Sequence, residues 1–141
     1  MPIRSIRSII AGRAPNVAPK ATTVVNAARL MQQRNTGALL VLEGSKLIGI
    51  FTERDALFRV LAAGCDPATT VIGDVMTPQP QTIHPDEPFR HALKLMHEGA
   101  FRHLPVVEYG RPLGTVTVRD SLDDDLYEMH VDREQREEMR E

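Results

Sequence analysis

Apolar positions along the chain alternate between helical and strand-like spacing. Val24, Ala27, Ala28 and Met31 lie three and four apart, which predicts one buried helix face running to about Arg34. Thr22 and Thr23 stand ahead of it as capping residues. Leu39 to Leu42 is a short unbroken apolar run, suited to a buried strand. Glu43-Gly44-Ser45-Lys46 reads as a turn, and Leu47 to Phe51 as the returning strand. A helix then opens at Thr52, with Ala56, Leu57, Val60 and Leu61 on one face and Gly64 as its stop. Asn16 to Ala18 predicts a short leading strand before Pro19.

The same order returns further along. Gln81 to His84 is a leading strand, and His91 to Glu98 a helix with Ala92, Leu93 and Met96 inward. Leu104 to Val107 is a strand, Glu108 to Arg111 a turn, Leu113 to Val116 the return, and Thr117 opens the last helix. The identities repeat as well. Gly49-Ile50-Phe51-Thr52-Glu53-Arg54-Asp55 recurs as Gly114-Thr115-Val116-Thr117-Val118-Arg119-Asp120, an offset of 65 residues that also aligns Leu30 with Leu95 and Met31 with Met96. Pro19 lies 12 residues before Met31 but Pro85 only 11 before Met96, which predicts one extra residue near Thr22 or Thr23. One supersecondary unit is used twice, each copy covering the apolar face of the other.

The flanks divide the chain further. Ile3, Ile6, Ile9 and Ile10 predict a short amphipathic helix ended by Gly12 and Pro15, with Arg4, Arg7 and Arg13 as a solvated face. Val71 to Met76 predicts a helical turn in a proline-marked linker. From Asp123 the chain is mostly charged, with Leu122, Leu126 and Met129 at helical spacing. The expected segments are 1–14, a first repeat 15–65, a linker 66–80, a second repeat 81–122 and a charged helix or tail 123–141.

Composition narrows the function. A lone half of roughly 60 residues is marginal by itself, which favours intimate pairing of the two. A net charge of −2 and the absence of tryptophan disfavour nucleic acid as a partner. Cys65 is the single cysteine, which excludes an intrachain disulfide and fits a reducing cytosol. The longest apolar run, Ala38 to Leu42, is far too short to span a membrane. His84, His91, His97 and His130 show no metal-ligand spacing. No phosphate-binding glycine loop, nucleophile elbow, zinc-protease motif or cysteine–histidine pair occurs, so neither a metal, a catalytic residue nor an enzyme is expected.

Two constellations carry candidate chemistry. Thr52 with Asp55, and Thr117 with Asp120, each match a capping box, in which hydroxyl and carboxylate satisfy backbone donors at a helix start. The same pair also suits a nucleotide: threonine can donate to phosphate, and aspartate can accept from vicinal ribose hydroxyls. The two roles are compatible. Arg102 and His103 precede a buried strand, with Pro105 at its edge, and read either as surface cation and backbone-bonded histidine or as a cationic pair for an anionic ligand. The first repeat has Gly37-Ala38 there, so two sites would differ.

Taken together, the ordered and doubled motifs resemble a tandem pair of CBS domains, also called a Bateman module. The marks are Val17-Ala18-Pro19, Thr82-Ile83-His84-Pro85, Val75-Met76-Thr77-Pro78, Arg102-His103-Leu104-Pro105-Val106-Val107 and both Gly-x-x-Thr-x-x-Asp segments. The resemblance implies an α+β fold of two β-α-β-β-α units in pseudo-twofold packing. It implies adenosine-containing ligands, commonly AMP, ADP, ATP, NAD(H) or S-adenosylmethionine, in clefts between the units. It sets Thr52 and Asp55 with Arg102 and His103 in one cleft, and Thr117 and Asp120 with Thr36, Gly37 and Ala38 in the other. Backbone around Val17, Ala18, Thr82 and Ile83 would line the adenine pockets, with Pro105 beside them. It further implies a cytoplasmic homodimer that regulates a separate protein. An interaction module with empty clefts is the competing expectation.

Overall fold

The computed structural model describes residues 4–121, and in it the two repeats build separate small sheets. The elements are α1 (Ile6–Ile10), β1 (Val17–Pro19), α2 (Val24–Arg34), β2 (Ala38–Glu43), β3 (Lys46–Thr52), α3 (Glu53–Asp55), α4 (Ile72–Val75), β4 (Thr77–Pro78), α5 (Phe89–Gly99), β5 (His103–Glu108) and β6 (Arg111–Thr117). The first sheet runs β1-β2-β3-β4, with β1 parallel to β2 and the other pairs antiparallel. The second holds β5 and β6 in the same antiparallel register, His103 opposite Thr117 as Ala38 is opposite Thr52.

Local chemistry explains most boundaries. The Thr23 hydroxyl accepts the Asn26 N–H and starts α2, and Asn35 ends it in the left-handed conformation at φ 50°. Ala100 does the same for α5 at φ 55°. Val24, Ala27 and Met31 are buried as the spacing predicts, but Ala28 is exposed and Leu30 takes the flank instead. Helix α5 begins two residues earlier than expected, because Phe89 joins Ala92 and Met96 in the core; Leu93 is half-buried.

Three further expectations change. The leading strand of the second repeat reduces to a single bridge, Ile83 beside Val106. That bridge also removes the extra residue expected near Thr22 or Thr23. Ala18 pairs with Val41 as Ile83 pairs with Val106, so the 65-residue offset holds and Pro19 and Pro85 are not structural equivalents. Past Asp55, α3 widens into a π-helical segment, Ala56–Leu61, with Ala62 N–H donating to Leu57 O. The wider turn breaks the 3.6-residue period. Val60 stays buried, while Leu57 and Leu61 are 50% and 71% exposed. The helix expected from Thr117 shows helical backbone only at Asp120 and Ser121; Leu122 and the charged tail lie outside the described residues.

The N-terminal segment is part of the second repeat's core. Ile6 and Ile10 pack with Ile83, Phe89, Ala92, Met96, Leu104, Val106 and Val116. The Arg7 and Ile6 N–H groups donate to Pro85 O (2.8 Å) and Glu87 O (3.2 Å), and Phe89 N–H donates to Arg4 O (2.9 Å). In the first repeat α4 makes the matching bonds: Gly73 N–H to Lys20 O (2.9 Å), Ile72 N–H to Thr22 O (2.8 Å) and Val24 N–H to Thr70 O (2.8 Å). Each repeat is therefore completed by the short helix that precedes the other in sequence. Gly49 has no room for a Cβ because Met76 lies over it, and Ile10 packs on Gly114 in the corresponding way. Ile6 is fully buried, so Ile6→Ala is expected to cost about 2–5 kcal/mol in denaturant unfolding. A loss near zero would mean that α1 is an appendage.

Candidate functional site

The two repeats face each other across a cleft of about 870 Å³. Strand β3, the start of α3 and the π-helical segment supply Ile50, Thr52, Glu53, Arg54, Asp55, Leu57, Phe58 and Arg59; the second repeat supplies Ala100, Phe101, Arg102 and His103. Thr77, Pro80 and Gln81 close it from the linker. The structure thus brings Thr52, Asp55, Arg102 and His103 into one cavity, although β3 and β5 belong to different sheets.

Thr52 and Asp55 form a complete capping box. The Thr52 hydroxyl oxygen accepts the Asp55 N–H (3.2 Å), and Asp55 Oδ2 accepts both the Thr52 N–H (3.0 Å) and its hydroxyl (3.2 Å). That oxygen is fully engaged. Oδ1 points elsewhere and lies 3.5 Å from Arg59 Nε. Across the cleft, the Arg102 guanidinium is exposed and has no hydrogen-bond or ion-pair partner among the described residues. His103 Nδ1 is buried without a partner. Burial holds the His103 imidazole below the ordinary histidine pKa; Glu53 pulls it up in part and Arg102 pushes it further down. The cleft therefore gathers the Arg54, Arg59 and Arg102 guanidiniums, the His103 imidazole, the exposed Glu53 carboxylate and the buried Asp55 carboxylate.

The second constellation is built differently. Thr117 N–H donates to Asp120 Oδ2 (2.9 Å), but Oδ1 lies 2.9 Å from Arg13 Nη2 and the Asp120 carbonyl accepts from Arg4 Nη2 (2.7 Å). Thr36, Gly37 and Ala38 sit against the start of α3: Gly37 O accepts the Glu53 N–H (2.9 Å), and the Glu53 carboxylate fills the space beside Gly37. Ala18 and Ile83 are buried in the two cores, Pro105 is buried in β5, and none of Val17, Ala18, Thr82 and Ile83 lines the cleft.

Arg7 and Arg13 are exposed as expected, yet both are ion-paired across the chain. Arg7 bonds Asp86 (3.0 Å) and Glu108 (2.8 Å), which holds the Asp86 carboxyl below the usual carboxylate range. His84 joins this group, and its ring, Asp86 and Glu108 offer three donor atoms within 4.8 Å. Histidine spacing could not reveal that set, since Glu108 comes from another strand. Arg7 supplies its cation, and His84 Nδ1 already accepts the Asp86 N–H (3.1 Å). The other residues missed in the sequence are Phe58, Phe101, Pro80 and Gln81 in the cleft; the one local signal was Phe101 beside Arg102.

This architecture, doubled about one interface with a cleft at the seam, defines a paired regulatory module. The chain belongs to the CBS domain family, whose profile matches residues 6–62 and 72–120. It is 35% identical over 133 residues to the CBS domain-containing protein CBSCBSPB3 of Arabidopsis thaliana, covering 94% of this chain and 24% of that protein. It thus spans about a quarter of the length of that relative. Among solved structures, the CBS domain protein NE2398 superposes with a TM-score of 0.82 at 27% identity, over 89% of this chain and 99% of that one. PAE2072 of Pyrobaculum aerophilum, solved in complex with AMP, shares the fold at a TM-score of 0.76 and 21% identity, over 83% and 89% of the two chains. No helix among the described residues is long and apolar enough to cross a membrane.

His103 gives a pH prediction. Its pKa is depressed in the fold, so the unfolded chain takes up the proton more readily. Its contribution to stability is present above the unfolded value of ~6.5 and falls as pH drops through that value. The melting temperature is expected to decline more steeply between about pH 7.5 and 5.5 in the wild type than in His103→Gln. Equal slopes would mean that the imidazole is not held neutral by burial.

Proposed function

We propose that the cleft binds an adenine nucleotide of the AMP, ADP, ATP or NAD type and that occupancy regulates a separate protein. The observation that carries this reading is the convergence of Thr52 and Asp55 from one repeat with Arg102 and His103 from the other on one cavity. Its volume of about 870 Å³ lies within the range of small-molecule sites, roughly 300–1,000 Å³. Asp55 Oδ1 would accept from ribose hydroxyls, the phosphate would take Arg102 and His103, and Phe58 and Phe101 would offer apolar area to the base. The AMP complex of PAE2072 supports the ligand class. A ligand that touches both repeats favours one relative arrangement to the extent that it binds that arrangement better. We further propose a non-catalytic, cytoplasmic homodimer, with Leu61, 71% exposed and outside the cleft, as apolar area for a second copy to cover.

The competing reading is an interaction module without nucleotide, and the complete capping box favours it, since Thr52 and Asp55 already have a structural task. A thermal-shift series with AMP, ADP, ATP and NAD separates the two. At a hundredfold excess over Kd the ligand adds about 2.7 kcal/mol, a rise on the order of 10 °C. Asp55→Ala is expected to abolish that rise while costing about 1 kcal/mol of stability through the lost cap. No rise with any of the four would leave the interaction module.

A further inference from the structure

Two cations are distributed unequally between the repeats. The first cleft has Arg102 and His103 at its edge, whereas the residues 65 positions earlier are Gly37 and Ala38. The second repeat instead receives Arg13 from the segment after α1, paired with Asp120 at 2.9 Å. The corresponding stretch of the first repeat, residues 77–81 after α4, contains no charged side chain. The two lead-in helices make matching hydrogen bonds, but the stretches after them differ: Thr77 and Pro78 pair with β3, whereas the Arg13 N–H bonds only the nearby Ile10 O (2.9 Å).

We propose that Arg13 occupies Asp120, so that the chain binds nucleotide at Asp55 and not at Asp120. This rests on the nucleotide reading above. The two carboxylates are about equally buried, 7% exposed at Asp120 and 9% at Asp55, but at Asp120 Oδ2 takes the Thr117 N–H and Oδ1 lies only 2.9 Å from Arg13 Nη2. A ribose diol entering there would have to displace the Arg13 guanidinium from Oδ1. Asp55 makes no such long-range pair; its Oδ1 faces Arg59 at 3.5 Å, beyond good hydrogen-bond length. Arg13 follows an anchored helix: Arg4 bonds the Asp120 carbonyl, and Ile10, three residues before Arg13, packs on Gly114. On the phosphate side, Gly37 and Ala38 offer no compensating cation.

Isothermal titration of the whole chain with AMP and with ATP tests this. The wild type is expected to bind one nucleotide per chain, and Asp55→Ala to bind none. Arg13→Gln is expected to open a second site, about 10-fold or more tighter than any second binding in the wild type, and Asp120→Asn in that background to remove it. The first site serves as the internal control for folding. Should Arg13→Gln lose it, Arg13→Lys, which keeps the charge but not the planar fork, is expected to show a second site of intermediate affinity. Two equal sites in the wild type would overturn the occupation of Asp120 by Arg13 and leave the nucleotide reading intact, as would a folded Arg13→Gln that still binds once. Absence of binding by every chain would remove both.

Discussion

The structure depends on a reciprocal backbone exchange. A β-α-β-β-α unit of this size cannot finish its own core, and it leaves donors unsatisfied at the start of its first helix. The chain solves both with one device. The segment before the first repeat crosses to the second, and the segment before the second crosses to the first. Thr70 O takes the Val24 N–H of α2, and Arg4 O takes the Phe89 N–H of α5. The second case is the more demanding, since Pro88 caps α5 without any side-chain bond. Ile72 and Ile6, both fully buried, then fill the two cores. The repeats are held by elements that belong to each other's chain neighbourhood, and the seam between them becomes a fixed feature.

That exchange also decides where chemistry is available. The linker that completes the first repeat runs on as Thr77, Pro80 and Gln81 along the cleft wall, uncharged throughout. The segment that completes the second repeat carries Arg13 and brings it to Asp120. One fold device, used twice, thus leaves Asp55 loosely paired with Arg59 at 3.5 Å and Asp120 closely paired with Arg13 at 2.9 Å. The repeat is symmetric in backbone and asymmetric in charge.

Much of this was legible in the sequence, and the limits follow from physics. The doubled Gly-x-x-Thr-x-x-Asp, the helix stripes and the buried strands were readable because their periods are local. The π-helical segment was not, since nothing in Ala56 to Leu61 marks a wider turn, and the expected face of Leu57 and Leu61 came out exposed as a result. The proline count misled because prolines fix backbone angles, not register; the pairing of Ala18 and Ile83 fixes register. Thr52, Asp55, Arg102 and His103 could be named from motif resemblance, but their meeting across two sheets could not be derived from spacing. Arg13 was hidden for a different reason. An arginine beside isoleucines on a short amphipathic segment looks the same whether its face meets solvent or another part of the chain 107 residues away.

At Asp55, though not at Thr52, whose hydroxyl already donates to Asp55 Oδ2, the two readings of Thr-x-x-Asp use different atoms. At Asp55 the capping bonds all fall on Oδ2, and the second oxygen is left toward the cleft. A carboxylate has enough lone pairs to cap a helix with one oxygen and accept from a ligand with the other. The cap then does more than stabilise: it buries the side chain and fixes its rotamer, so a ligand meets an acceptor whose ordering cost is already met. At Asp120 only the Thr117 N–H falls on Oδ2, and Arg13 Nη2 lies 2.9 Å from Oδ1. What separates Asp55 from Asp120 in this chain is therefore not the motif, which is shared by both repeats, but which element the fold delivers to the outer oxygen: Arg59 at 3.5 Å in one, Arg13 at 2.9 Å in the other.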